Sequence, residues 1–85
     1  MASVAMTSAQ GYILRLLAVD GDRVQLHSPQ AAAPGSRLVA RSSGGYEVRV
    51  KVFRCIRDGD QFEISGRLID ATRELRARLR AELEA

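Results

Sequence analysis

Apolar residues recur at every second position through most of this chain, and near its end at every fourth. Tyr12 to Val19 (YILRLLAV) is a mostly apolar run of strand length, and RVQLHS after it alternates, with Val24, Leu26 and Ser28 opposed to Arg23, Gln25 and His27. Asp20-Gly21-Asp22 lies between the two runs. Gly accepts positive φ there and Asp tolerates it, so the stretch predicts a hairpin. PQAAAPG (Pro29 to Gly35) predicts a loop, because its prolines lack amide donors for a ladder. Ser36 to Ser42 predicts a short strand and Gly44-Gly45 a tight turn. The clearest alternation follows: Tyr46, Val48, Val50 and Val52 point one way, Glu47, Arg49 and Lys51 the other. Phe53 and Cys55 fall out of the valine phase and Ile56 returns to it, the mark of a β-bulge. A second Asp-Gly-Asp turn (Asp58 to Asp60) leads into a strand with Phe62, Ile64, Gly66 and Leu68 on one face.

Beyond Leu68 the period lengthens to that of a helix, predicted over about 69–84. Ala71, Leu75, Leu79 and Leu83 form one apolar stripe, and Asp70 is the expected N-cap. Glu82 and Glu84 stand at the negative end of the helix dipole, so the last turn is expected to fray. Residues 1–10 are small and polar without a period and predict a flexible N-terminal arm, leaving 11–85 as the folded domain. The fold expected is mainly β: a small antiparallel five- to six-stranded β-barrel with a C-terminal α-helix over one mouth or edge. A single domain of 85 residues has room for one small core.

Charge adds one feature. The net charge is +3 with a pI near 9.8, and all but one of the 13 basic residues are Arg, Lys51 being the exception. Arg forks match phosphates and carboxylates, which suits an anionic partner; a G- and C-rich genome produces the same bias. RLVAR and RARLR each set two Arg four apart. That spacing shares a face on a helix, and on a strand it keeps one face at about 13 Å. Arg37, Arg41, Arg73, Arg76 and Arg80 are therefore the candidate ligand-binding residues.

Catalytic constellations are missing. One Cys and one His make neither an internal disulfide nor a Cys/His zinc site. Cys55 stands between Arg54 and Ile56 with no CxxC and no His near in sequence, so it reads as a packing residue. His27 and Ser28 are adjacent on a strand and face opposite ways, so they do not form a nucleophile–base pair. No GxSxG, P-loop or GxGxxG is present, and the Asp-Gly-Asp turns lack the other ligands of a calcium loop. No enzyme activity, metal or cofactor is expected. The chain has no basic, apolar leader and no membrane-length apolar run. A soluble cytoplasmic protein, or a domain of a longer one, is the expectation.

Pro34-Gly35-Ser36, Val52-Phe53-Arg54-Cys55, Phe62 to Gly66 and Arg73 to Leu83 occur in an order that resembles a PilZ domain over Val24 to Leu83. The resemblance implies a small antiparallel barrel ending in a helix, and in bacteria the binding of cyclic di-GMP. That binding uses an RxxxR segment before the barrel and a D/N-x-S-x-x-G motif within it. Here no Arg precedes the first predicted strand, RLVAR falls inside the barrel, and HSPQAAAPG stands roughly where the second motif belongs. The resemblance thus implies a degenerate member: a non-catalytic regulatory or protein-interaction module in bacterial signalling. Its partner would be a protein or a second copy, bound through the Leu75/Leu79/Leu83 stripe or a sheet edge. Two alternatives are a cyclic di-GMP receptor using relocated arginines and a small basic barrel binding single-stranded nucleic acid. The few aromatics, Tyr12, Tyr46, Phe53 and Phe62, argue against the latter.

Overall fold

Period-two alternation builds six strands. The computed structural model describes residues 3–42 and 44–84. They form β1 (Val4–Ser8), β2 (Ile13–Asp20), β3 (Arg23–Ser28), β4 (Arg37–Ser42), β5 (Glu47–Asp58), β6 (Gln61–Leu68) and α1 (Arg73–Glu84). All pairings are antiparallel, and the strands close into a barrel in the order β1-β2-β3-β6-β5-β4. The mainly β barrel with a C-terminal helix matches the fold expected from the pattern. No helix among the described residues is long and apolar enough to cross a membrane.

The segment expected to be a flexible arm instead closes the barrel. Val4, Met6 and Ser8 are buried while Ala5 and Thr7 face out, so β1 does alternate, over too few residues for the period to stand out. It pairs with β2 on one side and with Ala40 to Ser42 of β4 on the other. Without it β4 and β2 would each present an unpaired edge.

The β5 bulge expected from the break in phase is present. Val52 pairs with Gly66 and Arg54 with Ser65, so Phe53 is the extra residue. It is expelled and is 50% exposed. One inserted residue flips every later side chain to the other face. Cys55 therefore packs against the core and Ile56 turns outward. Gly66 makes the bend possible, since a Cβ there would lie 2.5 Å from both the Lys51 carbonyl oxygen and Val50 Cγ1.

Inside, Leu14, Leu16, Leu26, Val48, Val52 and Ile64 are essentially sealed from water. Three buried serines end strands and satisfy the turns beyond them. Ser8 Oγ accepts from the Gln10 and Tyr12 amides, Ser28 Oγ from the Gln30 amide and Ser42 Oγ from the Gly44 amide. Among the described residues no buried side-chain polar atom lacks a partner.

The helix starts later than expected. Asp70 is not its cap: it sits at φ 55, in the left-handed region, and Thr72 Oγ1 accepts from the Leu75 amide at 3.0 Å instead. Leu79 is fully buried, and Ala71, Leu75 and Leu83 pack half-buried on the same core. The leucine stripe is thus covered by β2, β1 and the barrel interior of its own chain, which corrects its reading as a partner surface. Polar contacts pin the helix. Arg76 Nε meets Asp22 Oδ1 at 2.6 Å, Arg78 lies 5.6 Å over the Tyr46 ring, and the Tyr46 hydroxyl donates to Glu82. That last bond holds the acidic final turn expected to fray, and the helix runs to Glu84.

Two expectations follow from this packing. Gly66→Ala forces backbone apart at the bend and should lower stability in urea unfolding by about 1–3 kcal/mol, the range of overpacked sites. Burial, followed by the bond to Glu82, raises the Tyr46 hydroxyl above its ordinary pKa of 10.0. The unfolded phenol loses its proton first, so this contribution is complete below that value and declines as pH rises through the folded pKa. Unfolding between neutral pH and pH about 11 should show this alkaline loss, and Tyr46→Phe should remove its share.

Candidate functional site

The five arginines singled out from sequence do not converge. Arg73, Arg76 and Arg80 line one groove with Val19 and Gly21 between the helix and the β2–β3 turn, and Arg76 is held there by Asp22. Arg41 bends to the β4–β5 turn and donates to the Gly45 carbonyl at 3.2 Å. Arg37 stands apart from both groups, at the start of β4 on the outer face of the sheet.

Arg37 belongs to a different constellation. It lies opposite Lys51 of β5, Lys51 opposite Arg67 of β6, and Arg67 opposite Arg23 of β3. All four side chains are exposed on the outer face, so four cations stand shoulder to shoulder across four adjacent strands. None of them has a carboxylate within ion-pair distance among the described residues. The row ends on Asp20 of β2, which pairs with Arg23 in the ladder. Like charges directly opposite on a sheet repel, so the fold carries this row at a cost.

Beside the row lies a shallow groove of about 370 Å³, lined by Arg37, Lys51, Arg67, Phe53, Ile69 and Asp70, with Leu68 completing it. Asp70 is the only acid there, and its carboxylate is 3.6 Å from Arg49. Phe53 is the residue expelled by the bulge. Arg54, also exposed, stands one row further along, opposite Ser65.

Two other features complete the outer surface. β4 pairs with β5 only as far as Lys51, and Gly35 and Ser36 bond to Val52. Past that point Arg54 to Asp58 pair with β6 alone, so among the described residues the other edge of β5 is open. Near its tip His27, Asp58 and Glu63 bring ligand atoms within 4.8 Å of one another, with His27 Nε2 3.5 Å from Asp58 Oδ2. One imidazole and two carboxylates suit a borderline divalent cation. Spacing along the chain gives no sign of this trio, because three strands supply one residue each. Cys55, half-buried against the core, has the packing role expected of it.

Arg23, Lys51, Arg67 and Phe53 were not among the sequence candidates. The signal for them is the strand register, which aligns residues far apart in the chain. Comparison with family models, curated proteins and solved structures finds no match to this chain.

Repulsion along the row is measurable. Lys51→Glu places a carboxylate between Arg37 and Arg67 and should raise stability by up to about 1 kcal/mol at low salt. The gain should shrink toward 1 M salt, where the screening length is about 3 Å. Urea unfolding at the two ionic strengths checks both statements.

Proposed function

We propose that the chain is a non-catalytic, PilZ-like module that regulates by contact in bacterial cytoplasmic signalling. The motifs behind the resemblance fall on mutually supporting elements. Pro34-Gly35-Ser36 is the loop entering β4, where Gly35 and Ser36 bond to Val52. Val52 to Cys55 spans the β5 bulge, Phe62 to Gly66 lies in β6, and Arg73 to Leu83 lies in α1.

The observation that carries the contact reading is the open edge of β5. A row of backbone donors and acceptors with exposed Ile56 beside it is a template for an added strand, with main-chain bonds supplying affinity and side chains specificity. The helix stripe offers no such surface, since it is already covered.

The cyclic di-GMP reading has less support. The RxxxR of Arg37 to Arg41 lies within β4, where Arg41 is engaged by Gly45. Calorimetric titration with cyclic di-GMP should give no saturable heat at low micromolar concentration. Tight, stoichiometric binding lost in Arg37→Ala or Arg41→Ala would overturn this reading in favour of a receptor with relocated arginines.

A further inference from the structure

We propose that the outer face of β3, β6, β5 and β4 binds single-stranded nucleic acid, with Arg23, Arg67, Lys51 and Arg37 on successive phosphates and Phe53 stacking on a base. This inference is independent of the PilZ reading, since it rests on register, charge and one exposed ring.

Adjacent strands lie about 4.8 Å apart, so the row spans roughly 14 Å. A single small anion meets two of its members; a chain of anions meets all four. The direction of the row selects the kind of chain. A peptide added to the open edge of β5 runs along the strands, so its acidic side chains would meet the row at one point. A flexible polyanion lying over the sheet crosses the strands and follows the row from end to end.

Chemistry narrows the choice further. Three of the four cations are Arg, whose planar forks take phosphate oxygens in pairs. The groove beside them has Phe53 and Ile69 in its lining, and Phe53 is half-exposed because the bulge has pushed it out of the barrel. A cationic track next to an aromatic face is how single strands are held without regard to sequence. An acidic polypeptide would use the cations and leave the ring idle. The acids nearby form no ion pair with the row: Asp70 lies 3.6 Å from Arg49, and Asp20, opposite Arg23 in the ladder, is not within ion-pair distance of it.

The test is fluorescence anisotropy of a labelled oligothymidine of about fifteen nucleotides, titrated with the full chain over a series of salt concentrations. Four phosphate contacts predict a log–log salt slope of about −2.8, from about 0.7 per contact on single strands. Arg67→Gln should reduce its magnitude by about 0.7. Phe53→Ala should weaken binding roughly tenfold without changing the slope. Arg15→Gln, on β2 and off the row, should lower affinity less than Arg67→Gln does. All of these side chains are exposed, and unfolding midpoints no lower than that of the unsubstituted chain would confirm that the variants remain folded.

Three results would overturn the proposal. The first is no binding to the oligonucleotide at low salt. The second is an Arg15→Gln effect equal to that of Arg67→Gln, which would mean diffuse charge rather than a row. The third is binding to polyglutamate as tight as to the oligonucleotide, with Phe53→Ala indifferent in both. That outcome would reassign the face to an acidic polypeptide.

Discussion

The structure depends on how closely two strands approach at Gly66. Without a side chain there, the β6 backbone can lie against Lys51 and Val50 at the point where β5 bends; any Cβ would collide with both. Val52 pairs with Gly66, and the next residue, Phe53, is left without a partner and turned out. A bulge inserted at a bend increases the local twist, which carries the rest of β5 past the end of β4. The same irregularity therefore curls the sheet, exposes an aromatic ring beside Lys51 and leaves the edge of β5 unpaired. These features are linked, and a change at one of them moves the others.

Closure follows from that curl. The sheet comes round far enough for β1 to bridge its ends, Val4 to Thr7 pairing with β2 and Met6 to Ser8 with β4, and the helix then covers one end with Leu79 sealed beneath it. Little of this rests on charge. The Arg76–Asp22 pair is more than a third exposed on both sides, the kind of pair that contributes modestly, whereas burial of a leucine contributes about 1.5–3 kcal/mol. The apolar stripe sets where the helix lies, and Arg76, Arg78 and Glu82 fix its rotation on the barrel.

Much of the fold was legible in the sequence because alternation reports directly on which face of a strand is wet. The valines of β5 and the inward set of β6 could be read without ambiguity, and both Asp-Gly-Asp turns lie where Gly21 and Gly59 take positive φ. What escaped was short or depended on a partner. β1 offers only three inward residues. Asp70 has the chemistry of an N-cap, but the chain passes through it in a left-handed turn, and Thr72, two residues on, does the capping. The bulge could be seen as a break in phase, but not which residue was extra. With Phe53 expelled, the inward role passes from Ile56 to Cys55.

The candidate site was illegible for a deeper reason. A small barrel fills its interior with side chains, and here Leu, Val and Ile occupy it, so the candidate site lies on the outside, where sequence pattern says least. Outward positions carry no packing signature, and a cation in one strand looks like any other solvated charge. RLVAR drew attention because its two arginines are close in the chain, yet within a strand that spacing separates them. Arg23, Arg37, Lys51 and Arg67 are dispersed along the chain and become neighbours only when four registers are known. A sheet brings charges together across its strands rather than along them, so the cationic row of this barrel is encoded in the pairing of its strands, the one property that local sequence does not display.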